Sequence, residues 1–203
     1  MKITAIKQQI KQKNRYSVFV DGRYEFSLGE SALLESKLVG GEEITEGELR
    51  ELKKLSEDDK IYNQALRYIA LRPRSKWEIT FYLEKKKKAS PALTEIILNK
   101  LSIIDMLDDE KLAKAFVHDR RLLRPTSRRK LITELRKKHI SEEIIEKAIG
   151  NEYEDEQAAL KSAIEKARRQ SKYQDTMKLM QYLSRQGFNY GDIKDALQEE
   201  SRE

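Results

Sequence analysis

The chain has no cysteine, which excludes a disulfide framework, thiolate chemistry and a Cys-ligated zinc cluster, and is compatible with a reducing compartment. No apolar run approaches the length that spans a bilayer, and the opening MKITAIKQQI is too polar for a signal peptide. On these grounds the protein is read as soluble and cytoplasmic, with no membrane partner. A phosphate-cradling loop of the form GxxxxGK followed by Ser or Thr is missing, and no nucleophile has an evident base beside it. His118 and His139 stand far apart without a cysteine partner, so no metal site is expected. The reading is of a non-enzyme with no catalytic residues, no metal and no cofactor. There is a single tryptophan, Trp77, which is expected to staple a helix into its own core rather than stack on a nucleobase. Tyr82 and Tyr182 are expected to be core residues too.

What the chain has in abundance is charge. Charged residues make up 37% of the 203, and mean hydropathy is −0.77. Such values suit disorder, but apolar residues recur at helical spacing from about residue 44 onward, which argues for folded helices. At 38% hydrophobic, several small packed units fit better than one large core. The net charge is +6, yet residues 118–138 alone carry nine cations against two carboxylates. The cations are Arg120, Arg121, Arg124, Arg128, Arg129, Lys130, Arg136, Lys137 and Lys138. Three of them, Arg128, Arg129 and Lys130, occupy the first turn of a predicted helix, where the macrodipole disfavours positive charge. Contact with phosphate or with an acidic protein surface would explain that placement.

The cluster belongs to a unit that occurs three times. Leu135 has counterparts in Leu83, 52 residues before it, and Leu183, 48 after it. Four positions ahead of each lies Ile79, Leu131 or Leu179, and eight ahead lies a helix N-cap residue, Ser75, Ser127 or Asp175. Ile145 and Ile149 match Ile193 and Leu197 at equal offsets, whereas Ile97 and Leu101 come four residues later, about one turn. A recurrence near 50 residues signifies tandem helical units. We place an N-terminal part at 1–56 and three-helix repeats at 57–107, 108–150 and 151–203.

In chain order, residues 3–28 alone read as β: three apolar segments, the last two joined by Asp21-Gly22, predict a meander. Ser27 and Glu30 suggest a capping box leading into a short helix. Thr45 opens a helix with Leu49, Leu52 and Leu55 on one face, and residues 56–59 (Ser-Glu-Asp-Asp) mark the expected junction with the first repeat. Ser75 with Glu78 predicts a capping box, Lys85, Lys86, Lys87 and Lys88 follow at that helix's end, and Ser90-Pro91 starts the next. Asp108, Asp109 and Glu110 read as a helix start rather than a catalytic cluster. Gly150-Asn151 and the acidic stretch 152–156 separate the last two copies, and the Ser-Arg-Glu tail is expected to fray. Because the repeats carry their own caps and apolar faces, the helical part is expected to fold without the meander.

These residues resemble the RecX family, bacterial modulators of the RecA recombinase. The likeness rests on Arg72-Pro73-Arg74-Ser75 with Leu83, on DDEKLAKAFVHDR at 108–120, on ELRKKHI at 134–140, and on YLSRQGF at 182–188 with Ile193. The chain departs from the family where Ser127 and His139 replace a frequent Gly. The resemblance implies a mainly α fold of three tandem three-helix repeats forming an elongated curved rod, preceded by a small β meander. It also implies a monomer that binds the groove of a RecA–DNA filament and limits its ATPase and strand exchange, with weak affinity for single- and double-stranded DNA. Candidate contact residues are Arg72, Arg74, Lys85, Lys86, Lys87, Lys88, Arg168 and Arg169 together with the nine cations above. A second reading, from the residues alone, is a non-specific nucleic-acid binder whose units act as helix-turn-helix modules, with residues 127–138 as recognition helix.

Overall fold

A computed structural model describes residues 1–150 and 153–200. Three antiparallel strands come first: β1 (Ile3–Gln8), β2 (Arg15–Val20) and β3 (Arg23–Gly29), in the order β1-β2-β3. Asp21 and Gly22 both have positive φ, 48° and 79°, the geometry a two-residue hairpin turn demands. The expected capping box at Ser27 does not form. The strand runs on to Gly29, which is itself the N-cap of α1 (Glu30–Ser36) without a side-chain bond, and Ser27 is buried in β3.

Helix α2 (Glu46–Ala70) opens on a capping box in which Thr45 and Glu48 bond each other's backbone N–H. It then passes through residues 56–59 without a break. Ser56 is buried mid-helix, its hydroxyl donating to the Ser27 carbonyl at 2.7 Å, and Asp59 accepts from Gly29 N–H at 2.9 Å. Asp59 also meets the Arg15 guanidinium at 3.0 Å, and Arg15 donates to the Ser27 carbonyl. A buried pair tied this way demands both partners, since either charge alone would be stranded. The meander and α2 therefore share one core, containing Ile3, Val18, Phe26, Leu28 and Leu49. A fragment starting near Ser56, the start from which the helical part is expected to fold, would cut that core. The chain forms two compact units, Met1–Arg72 with Ile79–Met106, and Pro73–Glu78 with Leu107–Glu203.

The remaining helices fall in threes. After α2 come α3 (Lys76–Phe81), continued by a π-turn (Tyr82–Lys86), and α4 (Pro91–Ile103). Then follow α5 (Asp109–Leu123), α6 (Arg128–Arg136) and α7 (Glu142–Ile149), and lastly α8 (Tyr153–Arg168), a 3-10 turn (Ser171–Tyr173), α9 (Thr176–Arg185) and α10 (Tyr190–Glu200). Ser90, Asp108, Ser127, Ser141 and Asp175 each cap a helix through the side chain, and Ser75 and Glu78 form the predicted box. Asn151, Glu152 and the Ser-Arg-Glu tail, to which sequence reading gave a linker and a frayed end, lie outside the described residues.

The middle helix of each triplet ends alike, in a left-handed residue: Lys88 (φ 58°), His139 (φ 55°) and Gly187 (φ 92°). The next N–H returns to the aligned leucine, Ala89 to Leu83, Ile140 to Leu135 and Phe188 to Leu183. The first copy has one residue more in this loop, and the π-turn absorbs it. Counted from the caps Ser90 and Ser141, the partners of Ile145 and Ile149 are Thr94 and Leu98, one turn before the Ile97 and Leu101 that sequence spacing selected; all four are buried in the longer α4. Thr94 thus holds an isoleucine's place, and its buried hydroxyl has no hydrogen-bond partner among the described residues. Thr94→Val keeps the shape and deletes the orphaned group, and is expected to raise unfolding stability by about 1 kcal/mol in denaturant melts.

Candidate protein and nucleic-acid interface

Helix α6, the centre of the basic cluster, begins in a buried setting: Thr126 and Ser127 are 3% and 0% exposed. The anion its cationic first turn lacks comes from within the chain. Glu156 of α8 accepts the Arg128 N–H at 2.7 Å, where the positive end of the helix favours a carboxylate. The start of α3 repeats the device, with the Lys76 N–H donating to Asp109 of α5 at 2.8 Å. One turn on, the third helical residue of each also reaches the next copy: Glu78 meets Lys138 at 3.9 Å, and Lys130 donates to Gln186 at 2.8 Å. The left-handed residues complete both joints. His139 stacks its ring on Trp77, centroids 3.8 Å apart, and Gly187 lies so close to Ser127 that a Cβ would come within 2.4 Å of its hydroxyl. Trp77, 41% exposed, is accordingly a joint residue rather than the core staple expected of it. Tyr182 does pack on its repeat's core, and Tyr82 stacks on Tyr68 at 4.0 Å.

Burial pushes the Asp109 and Glu156 carboxyls above their ordinary range, and the N–H groups they accept draw them partly back. Each then binds its proton more readily folded than unfolded. Their contribution to stability is fully present below the ordinary values of 3.8 and 4.5 and is lost as pH rises through the raised ones. The doubly neutralised variant Asp109→Asn/Glu156→Gln, which keeps the accepting oxygens, should therefore gain on wild type as pH goes from 4 to 7 in thermal melts. A gap constant with pH would contradict this.

Of the nine cations in the cluster, six are engaged within the chain. Arg120 pairs with Glu134 at 2.9 Å and lies over the Phe116 ring, and Arg121 donates to the Ile149 carbonyl at 2.8 Å. Arg128 donates to the Gly150 carbonyl, Lys130 to Gln186, Arg136 to Glu142 at 2.7 Å, and Lys138 meets Glu78. Arg124, Arg129 and Lys137 are exposed and make no ion pair among the described residues. Elsewhere, Arg74 is buried against Glu78 at 3.7 Å, Arg72 is exposed, and Arg168 pairs with Glu200 at 3.0 Å beside exposed Arg169. Lys85, Lys86 and Lys88 are exposed, and Lys87 lies over the Tyr82 ring. Leu122 and Leu123, just ahead of Arg124, are exposed, and sequence reading did not single them out; Leu122 lies on the face of α5 opposite the buried Ala113 and Val117. No grouping of His, Asp and Glu that could hold a metal occurs among the described residues, and Asp108 is a helix cap as expected.

These features define a class of protein: small three-helix units whose helix starts are buried and part of whose positive charge is left to solvent. Residues 108–149 match the second three-helix domain of RecX, residues 154–197 the third, and residues 1–45 the RecX N-terminal domain. The chain is 34% identical over 209 residues to the regulatory protein RecX of Listeria monocytogenes serotype 4a (strain HCC23), spanning 100% of this chain and 77% of that one. To the regulatory protein RecX of Bacillus subtilis (strain 168) it is 30% identical over 200 residues, 96% of this chain and 75% of that one. A crystal structure of regulatory protein RecX superposes with a TM-score of 0.73 at 28% identity, covering 96% and 98% of the two chains. The protein belongs to the RecX family of regulatory proteins. Among its described residues, no helix is long and apolar enough to cross a membrane.

Proposed function

We propose that the protein binds the RecA filament on DNA in the cytoplasm, as a monomer, and lowers RecA's ATP hydrolysis and strand exchange without catalysing a reaction itself. The observation that carries this reading is the family match in three separate segments, with relatives named as regulatory proteins. The division into three-helix units at 57–107, 108–150 and 151–203 belongs to the same proposal, in which weak contacts from linked units add through effective concentration. Contact falls to the exposed cations, chiefly Arg124, Arg129 and Lys137, with Arg72, Lys85, Lys86, Lys88 and Arg169 as further sites.

The reading as a set of helix-turn-helix modules is the weaker one for a specific reason. A recognition helix offers its first residues to the major groove, whereas the start of α6 is covered by Glu156, Gln186 and Gly187. The test is the ATPase rate of cognate RecA on single-stranded DNA with the protein in excess. A fall in rate, together with only weak binding of the protein to bare DNA, is expected. An unaltered rate with tight bare-DNA binding would favour the nucleic-acid binder instead.

A further inference from the structure

The first unit contains a groove of about 430 Å³ between α1, α2 and α4 that the proposed function does not use. Part of its wall is apolar: Leu55 and Leu66 from α2, Leu93 and Ile96 from α4. Ile96 is 53% exposed although it lines this concavity. From Leu55 to Leu66 the wall runs about 16 Å along α2, enough for some three turns of a docked helix. The rim has the opposite sign to the chain as a whole, which carries +6: it presents Glu30, Glu35 and Asp58. Asp59 lies there too but is neutralised by Arg15. Asp58 makes no ion pair among the described residues, and burial raises its carboxyl, with Lys54 pulling it back.

The chain already displays the chemistry this groove accepts. Lys100 of α4 sets its ammonium 3.5 Å from Glu35 and 5.6 Å from the centroid of the Tyr62 ring, while lining the same wall as Leu93 and Ile96. An alkyl stem on an apolar wall with its cation between a carboxylate and an aromatic face is a favourable arrangement for Lys or Arg. Asp58 offers a second carboxylate for a second cation. Negative potential at the rim rejects nucleic acid, so the occupant is not the polyanion that the basic surface suits.

We infer that this groove docks a short, basic amphipathic segment of a partner protein, which seats aliphatic side chains on Leu93 and Ile96 and directs Arg or Lys to Asp58 and Glu35. The mode is that of a helix laid in a groove. It goes beyond the proposed function and does not depend on which filament the basic surface meets.

The test uses the full-length protein and a fluorescein-labelled helical peptide of Leu and Arg in amphipathic order, read by fluorescence anisotropy. Analogues with Arg changed to Glu, or Leu changed to Ser, serve as comparisons. Binding of the Leu/Arg peptide alone is expected. Ile96→Asp, at an exposed position, should weaken it at least tenfold, Asp58→Asn at least threefold, and Lys100→Ala should tighten it by vacating the Glu35 carboxylate. Lys161→Glu, at an exposed position in the other unit, should leave the affinity unchanged. Circular dichroism of each variant separates lost docking from lost fold. Equal affinity for the Leu-to-Ser peptide, or affinity within twofold of wild type for both Ile96→Asp and Asp58→Asn, would overturn the inference.

Discussion

Gly187→Ala is expected to destabilise the second unit by about 2–4 kcal/mol, the largest loss of any Gly→Ala substitution in the chain. Two effects combine. At φ 92° an L side chain is strained whatever the space around it, at about 1–2 kcal/mol. The new Cβ would also lie 2.4 Å from the Ser127 hydroxyl and 3.1 Å from the Lys130 Cβ, so one of the two copies must yield in a packed joint. Gly22→Ala isolates the first effect, since its φ is 79° but no atom lies within 4 Å of the built Cβ. Its cost should stay near the strain alone. Ser127→Gly separates the second, because it removes the clashing oxygen: in a double-mutant cycle the Gly187→Ala cost should shrink, although the Ser127 cap is lost. Purely additive costs would show that Ser127 and Gly187 do not press on each other.

The same comparison marks what sequence could disclose. Periodicity and caps made the three copies legible, since a buried Leu and an N-cap eight residues before it are local requirements of an amphipathic helix. The left-handed position was half legible. Gly187 announced it, but His139 concealed it, because there the neighbour is Trp77, and a stacked ring occupies the space that Ser127 closes in the other joint. The π-turn and the true register of α4 were hidden because one inserted residue and a longer helix shift different parts of the pattern, which sequence spacing merges into a single offset. Hidden too was the seam of Arg15, Ser27, Ser56 and Asp59 that fastens the meander to α2; acidic residues beside a serine read as a break, while in space they complete a buried pair. The basic cluster was legible as charge but not as surface. Glu134 and Glu142 lie 14 and 6 residues from the guanidinium groups they meet, Glu156 lies 28 from the Arg128 main-chain N–H it accepts, and no linear charge count joins them.

That distinction sets the expected outcome for charge reversal. Replacing Arg124, Arg129 and Lys137 together by Glu should lower affinity for the DNA-bound filament about tenfold or more at physiological salt, and leave the fold intact because none of the three makes an ion pair among the described residues. If all three face phosphate, the slope of log affinity against log salt should flatten by about two to three, since each duplex phosphate contact contributes about 0.9 and each single-strand contact about 0.7. If they face carboxylates of a protein surface instead, binding should fall while the slope on bare DNA barely moves. Reversing Arg128 and Lys130 is a different experiment, although both belong to the same run of cations. Arg128 donates to the Gly150 carbonyl within the second copy and Lys130 holds Gln186 of the third, so their reversal loosens the second copy and breaks its joint with the third. It should appear first as a lower melting temperature, with binding lost only in proportion to unfolded protein. Equal binding losses in the two sets with melting temperatures unchanged would place the engaged cations on the interface and overturn the division between them.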